Sequence, residues 1–196
     1  MTNGVATAFS ERRRPVWPAR GRPGGRPVAL SAYAEGVSPI ALIALVTAPL
    51  LLDVPFVAQR ENGCAAAALT MVLRYWGDPA PENEMAGALP GPSARGIAGS
   101  RLAELARERG HEAIAYEGDL SHLREYLAKG RPLIVALRSG RDRYHDVVVV
   151  GFDDRAQEVV VHDPESGPAR RLPVRSFEER WRGAGHWTLL VLPAKP

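Results

Sequence analysis

The chain has 196 residues, of which 45% are hydrophobic and 24% are charged, and its formal net charge is +3. This length allows one domain of ordinary size, or one domain with an appended tail. Six arginines and a single acid lie in the first 26 residues. The rest of the chain is nearly neutral, so nucleic acid is not an expected partner. A single cysteine, Cys64, excludes a framework of internal disulfides.

The first 52 residues differ in texture from the rest. Residues 1–37 are rich in Arg, Pro, Gly and Ser without helical or strand periodicity, which predicts disorder. Residues 38–52, "SPIALIALVTAPLLL", carry no charge, but they are fewer than the roughly 20 residues that span a bilayer. Two interpretations stay open for this apolar segment: a signal or membrane anchor, and a segment that packs onto the domain. The first associates the protein with the membrane and favours the cell envelope, as an exported or anchored protein, over the cytoplasm.

Residues 53–193 have the pattern of one compact domain that begins with helices. An extended segment, "DVPFVAQ", leads into a turn at "RENG". Apolar spacing and terminal glycines then predict three helices, which are Cys64–Trp76 before Gly77, Ile97–Arg109 before Gly110, and Asp119–Lys129 before Gly130. Asp119 is the expected N-cap of the third helix.

The second half of the domain is rich in β-branched residues. The runs "RPLIVAL", "HDVVVVGFD", "QEVVVHD" and "HWTLLVL" are bounded by Gly, Asp and Pro, which is typical of strands in an antiparallel sheet. A short helix is predicted between Arg175 and Trp181. Because helices come first and the strands follow, the sequence predicts an α+β domain rather than alternating βαβ units.

Cys64 stands at the start of a predicted helix, where unpaired backbone N–H groups and the helix dipole favour a thiolate. The small residues 65–68 that follow are expected to let a substrate backbone approach the sulfur. The structural alternative is a buried cysteine that acts as a small apolar side chain.

The five histidines occupy different contexts. His111 and His122 lie in helical or helix-terminal positions where solvent exposure is expected, and His186 has a structural interpretation beside Trp187. His145 and His162 remain, because each lies at the end of a predicted strand. His145 begins its strand, so its ring is expected at the rim of the sheet.

Asp163 distinguishes His145 from the other histidines. If the chain forms one hairpin between the two strands, the start of the first strand at His145 lies beside the end of the second at Asp163. The carboxylate can then accept the imidazole N–H and fix its tautomer. Gln59, five residues before Cys64, is a candidate donor to an oxyanion.

Other chemistries find less support in the sequence. There is no Cys-x-x-Cys and no His-x-x-x-His pair, so we expect neither a metal nor a cofactor. There is also no nucleophile-elbow sequence for serine chemistry.

Five segments together resemble a known family. Gln59, "CAAAALTMVLRYWG", "YHDVVVVGFD", "VHDPESG" and "FEERWRGAGHWTLLVLP" resemble the papain-like peptidase domain of bacterial ABC exporters that cleave double-glycine leader peptides from bacteriocins. The resemblance covers residues 53–193. It implies a papain-like fold, in which a helical half carrying the nucleophile packs on an antiparallel sheet. It also implies Cys64 as nucleophile, His145 as general base and acid, Asp163 as the orienting carboxylate and Gln59 as the oxyanion donor.

The chain departs from this family at two positions beside the nucleophile. Ala65 replaces the usual glycine after it, which is expected to narrow substrate access, and Gly63 replaces a commonly acidic residue before it. The sequence also contains neither a six-helix exporter region nor an ATP-binding motif. The resemblance therefore does not imply export activity, and a separate ABC exporter is a candidate partner.

These observations predict a cysteine peptidase that hydrolyses a peptide bond through a thioacyl-enzyme intermediate, with double-glycine leader sites as candidate substrates. A peptide-binding module of the same fold with little or no catalysis is the alternative. A transpeptidase, an amidase or a deubiquitinase-like enzyme shares the same residues, because the acyl-enzyme step is common to all of them.

Overall fold

The computed structural model describes residues 50–60, 63–88, 99–141 and 143–193. The predicted disordered segment 1–37 and residues 38–49 of the apolar segment lie outside the described residues. The last residues of the apolar segment form a two-residue strand, β1 (Leu50–Leu51), which pairs antiparallel with a later strand. Of the helices in the described ranges, none combines the length and apolarity that crossing a membrane requires.

Five helices are present in the described residues. They are α1 (Cys64–Tyr75), α2 (Glu82–Ala88), α3 (Gly99–Glu108), α4 (Leu120–Ala128) and α5 (Val174–Arg182). The four helices that the sequence predicts are confirmed, and the ends that lie in the described residues agree within about two residues; the predicted start of the second helix, Ile97, lies outside them. α2 was not predicted, because its seven residues are too few to display a helical period.

Helix α1 forms because a continuous series of small and apolar residues, 65–73, is buried against the sheet. The helix ends where Gly77 adopts a φ of 87°. The Gly77 and Asp78 N–H groups donate to the carbonyls of Arg74 and Leu73, at 3.0 Å each. This Schellman arrangement confirms the predicted stop at Gly77.

The longer strands are β2 (Glu112–Glu117), β3 (Leu133–Arg138), β4 (Tyr144–Asp153), β5 (Glu158–Asp163), β6 (Gly167–Pro173) and β7 (Trp187–Leu192). The strands form one antiparallel sheet in the order β2, β7, β3, β4, β5, β6, and β1 pairs with β4. The four predicted strands are confirmed, and together they form the centre of the sheet. The two edge strands, β2 and β6, were not predicted. Most of their residues are exposed, so their sequences lack the alternation of apolar and polar residues that indicates a strand.

Helices cover both faces of the sheet. The even-numbered residues Val148 and Val150 of β4 face a cluster that includes the buried residues of α1 and α3. The odd-numbered residues Val147 and Val149 face a second cluster, which includes residues of α4 and α5. Burial on both sides explains why the central strands are continuous apolar runs rather than alternating ones. The N-terminus of α1 therefore lies on the sheet face that the even-numbered residues of β4 form.

Candidate active site

The β4–β5 hairpin that the sequence predicts is present, with Val148 paired to His162 and Phe152 to Val159. It brings the beginning of β4 beside the end of β5. His145 Nε2 lies 2.6 Å from Asp163 Oδ1 as a result. This distance is that of a short, charge-assisted hydrogen bond.

The loop after β5 holds the Asp163 carboxylate in place. Asp163 Oδ1 also accepts the backbone N–H groups of Glu165 at 2.9 Å and Ser166 at 3.3 Å. Burial by itself would raise the pKa of Asp163, but the hydrogen bond with His145, its positive charge and the backbone donors hold that pKa well below its usual range. Asp163 is therefore an anion at neutral pH.

The His145 ring is largely enclosed, with 7% of the residue exposed. Burial alone would lower the pKa of the imidazole, but the interactions with Asp163 and Cys64 raise it to about 10. Since Nε2 is engaged by Asp163, Nδ1 is the ring nitrogen that remains for proton exchange with Cys64. His145 is an imidazolium at neutral pH and can donate a proton.

Cys64 is the first residue of α1, and its side chain is half-buried. The N-cap residue, Gly63, supplies no side-chain hydrogen bond to the first turn. Instead the Gly63 N–H donates to the Arg60 carbonyl at 2.7 Å, which closes a tight turn. A Cβ atom at Gly63 would lie 2.6 Å from that carbonyl oxygen, so this turn leaves no room for a side chain at position 63.

The expected role of residues 65–68 is wrong. All four alanines are at most 2% exposed and belong to the core between α1 and the sheet. Their small size allows close helix–sheet packing rather than approach of a substrate. The Ala65 methyl group, which was expected to narrow substrate access, is 1% exposed and points into this core.

Gln59 connects the two loops that border the site. Its backbone N–H donates to the Pro164 carbonyl at 2.9 Å, which ties the segment before α1 to the loop after β5. Its side-chain Oε1 is buried and has no hydrogen-bond partner within the part of the chain that the structure describes. The role of the Gln59 amide as an oxyanion donor stays a prediction.

Asp146 is a residue that the sequence analysis missed. Its Oδ2 atom lies 3.9 Å from Cys64 Sγ, and the residue is 8% exposed. Because side chains alternate along β4, Asp146 lies on the same face as Val148, which α1 covers. Burial raises the pKa of Asp146 to about 6, although the nearby His145 and the Cys64 hydrogen bond act in the opposite direction. The signal that could have revealed it is a carboxylate next to an otherwise apolar strand.

The other histidines have structural partners. The Ala169 N–H donates to His162 Nδ1 at 3.1 Å, and His162 Nε2 lies 2.9 Å from the Val54 carbonyl, so both ring nitrogens are occupied by backbone groups. His186 Nε2 lies 2.8 Å from Glu178 Oε1.

The expectation of a solvated His111 is wrong. The residue is 7% exposed, its Nδ1 lies 3.1 Å from the Leu192 carbonyl, and its Nε2 lies 3.4 Å from Asp78 Oδ2. It follows α3 in the chain, and the pairing of β2 with β7 encloses it. His145 is therefore the histidine that the fold brings to Cys64.

A helix that begins at a cysteine and packs on an antiparallel sheet, with a His–Asp pair at the sheet's rim, is typical of the papain-like fold. The model of the Peptidase_C39 like family matches residues 51–188, and the chain belongs to this family. No curated protein sequence matches the chain significantly.

Solved structures share the fold. A double-glycine-motif protease from an AMS/PCAT transporter, crystallised with its leader peptide, is 25% identical with a TM-score of 0.60, over 74% of this chain and 98% of that chain. A C39-like peptidase from Bacillus anthracis is 17% identical with a TM-score of 0.64, over 76% and 100%. The peptidase domain of Streptococcus ComA, a bifunctional ABC transporter of a quorum-sensing pathway, is 22% identical with a TM-score of 0.59, over 70% and 96%.

Proposed function

We propose that the protein is a cysteine peptidase that hydrolyses a peptide bond through a thioacyl-enzyme intermediate. The observation that carries the proposal is the hydrogen bond of 2.6 Å between His145 and Asp163, beside a cysteine at a helix N-terminus. Such a constellation supplies a nucleophile, a proton carrier and a group that orients the carrier. Membership of the C39-like family supports the same reaction class.

In this mechanism Cys64 Sγ attacks the carbonyl carbon of the scissile bond as a thiolate. The His145 imidazolium, held by Asp163, gives its proton to the leaving amine. The neutral imidazole then takes a proton from water, whose oxygen attacks the thioester carbonyl and releases the acid product. The backbone N–H groups at the start of α1 and the Gln59 amide are the candidate donors to the oxyanion of both tetrahedral states.

We propose that the substrate is a peptide whose leader segment ends in a double-glycine motif, with the scissile bond directly after that motif. Support comes from the 25% identical protease that cleaves at a double-glycine motif and whose structure contains a leader peptide. A separate ABC transporter is the corresponding candidate partner, since related domains belong to such transporters. We also propose that residues 38–52 associate the protein with the membrane and hence place it in the cell envelope. This proposal rests on the uncharged, apolar composition of that segment.

The test is cleavage of matched synthetic peptides by the full-length protein, followed by mass spectrometry. One peptide carries Gly-Gly before the scissile bond and its partner carries Val-Val at the same positions. We expect cleavage after Gly-Gly by the wild type, at least about 100-fold less cleavage after Val-Val, and no cleavage by Cys64→Ala. Equal cleavage of both peptides contradicts the substrate proposal, and cleavage by Cys64→Ala contradicts the mechanism.

A peptide-binding module is a second candidate, and one observation favours it. The Asp146 carboxylate lies 3.9 Å from Cys64 Sγ, and a negative charge at that distance opposes formation of the thiolate. A binding module predicts a wild type that binds the Gly-Gly peptide without cutting it, with the same affinity as Cys64→Ala.

A further inference from the structure

Asp146 is buried on the face of β4 that α1 covers, and its partner on the neighbouring strand β3 is Ala136. Val148 and Val150 follow it on the same face, and both are fully buried. A buried carboxylate is costly unless it has a partner. The partner that the structure gives it, among the residues described, is the Cys64 thiol at 3.9 Å.

The charged surroundings of Asp146 are the catalytic groups themselves. His145 precedes it on β4, Cys64 faces it from α1, and Asp163 lies beyond His145 at the end of β5. The residue paired with it on β3 is Ala136, which carries no charge. Within the described residues, the ionisation of Asp146 therefore acts on the candidate nucleophile and its proton carrier.

We propose that Asp146 is a positioning residue for the candidate nucleophile: its carboxylate accepts the thiol hydrogen of Cys64 and, when ionised, opposes formation of the thiolate. The inference rests on the proposed role of Cys64 in catalysis. An ionised carboxylate beside the sulfur retains the thiol proton, because two adjacent anions repel one another. A protonated Asp146 has no such effect and can donate a hydrogen bond to the thiolate.

Since the pKa of Asp146 is about 6, the carboxylate changes its charge under mildly acidic conditions. Below that pH Asp146 is neutral and does not oppose formation of the thiolate. Above it the carboxylate is charged and does oppose it. The ionised Asp146 carboxylate is therefore expected to slow the reactions of Cys64 that require a thiolate.

The first test measures the rate of Cys64 alkylation by iodoacetamide between pH 4 and pH 10 in the full-length protein. The variants are Asp146→Asn, which keeps the shape and removes the charge, and Asp153→Asn as the matched control. Asp153 lies at the other end of β4, where its carboxylate pairs with Arg171. We expect the alkylation midpoint of Asp146→Asn to fall by at least one pH unit, about tenfold faster alkylation below the wild-type midpoint, and no shift in Asp153→Asn. An unchanged or higher midpoint in Asp146→Asn overturns the proposal.

A second test does not depend on the folding of that variant. The carboxyl carbon of Asp146 is titrated by NMR in the wild type and in Cys64→Ala. Because coupling between two sites is reciprocal, we expect the Asp146 midpoint to rise when the thiol donor is removed, and an unmoved midpoint overturns the proposal. Neither test needs a peptide substrate, so a failure to detect hydrolysis leaves both results interpretable.

Discussion

His145 Nε2 and Asp163 Oδ1 lie 2.6 Å apart although 18 residues separate them in the chain. The hairpin of β4 and β5 brings them together, and the backbone N–H of Glu165 holds the same carboxylate oxygen at 2.9 Å. Mutation of Asp163 can therefore separate the effect of its charge from its effect on the orientation of the His145 ring.

Replacement of Asp163 should separate these two contributions. In Asp163→Asn the amide oxygen can still accept the imidazole N–H, whereas Asp163→Ala loses the acceptor altogether. We expect kcat/KM to fall roughly tenfold in the first variant and at least about 100-fold in the second. The pKa of His145, about 10 in the wild type, should fall in both, so the alkaline limb of the pH–rate profile should move to lower pH. An alkaline limb that stays in place contradicts the proposed role of Asp163.

Replacing the two strand-end histidines, His145 and His162, should have different effects on activity and stability. His162→Ala leaves the Val54 carbonyl and the Ala169 N–H without their partner, which should lower the free energy of unfolding by about 2–4 kcal/mol. His145→Gln should abolish hydrolysis while changing the stability less. Urea denaturation and peptide cleavage, measured on both variants, check this pairing of effects. Residual hydrolysis by His145→Gln, together with its loss in a folded His162→Ala, would reverse the assignment.

Gly63 should tolerate no side chain. In Gly63→Ala the new methyl group would lie 2.6 Å from the Arg60 carbonyl oxygen, so the turn before Cys64 must open. We expect a loss of about 1–3 kcal/mol in the free energy of unfolding and a lower rate of Cys64 alkylation. Gly87→Ala is the control, because nothing lies within 4 Å of a Cβ atom there and alanine favours a helix. Equal stability of the two variants contradicts the steric explanation.

The ionised carboxylate of Asp146 should lower the free energy of unfolding at neutral pH. Its carboxyl loses a proton near pH 3.8 in the unfolded chain but only near pH 6 in the folded protein, so stability falls as the pH rises between these values and stays lower above them. Asp146→Asn should therefore raise the free energy of unfolding at pH 8 by on the order of 3 kcal/mol and leave it nearly unchanged at pH 3.5. Denaturant titrations at the two pH values check this. The same gain at both values would point to packing rather than charge.

Local patterns were sufficient for much of the fold. The glycine stops of α1 and α4 and the Asp119 N-cap appear where the sequence places them, because they depend on neighbouring residues alone. The β-branched runs of β3, β4, β5 and β7 were recognisable since both of their faces are buried. The His145–Asp163 pair followed from the register of one hairpin.

The features that the sequence did not predict depend on contacts between segments that are distant in the chain. The burial of His111 follows from the pairing of β2 with β7, and neither the pairing nor β2 itself has a local signature. The proximity of Asp146 to Cys64 joins residues 82 positions apart. A carboxylate at the start of an apolar strand resembles an ordinary strand boundary until α1 is seen to cover it.

The proposed function requires that Cys64 forms a thioester with the substrate. Cleavage of the Gly-Gly peptide in the presence of hydroxylamine tests this directly, because hydroxylamine intercepts an acyl-enzyme but does not react with an intact peptide bond on the same timescale. We predict that mass spectrometry will find the N-terminal fragment with a C-terminal hydroxamate in the wild type and will find no fragment in Cys64→Ala. Cleavage by Cys64→Ala at the wild-type rate, yielding the free acid alone in both proteins, would contradict it.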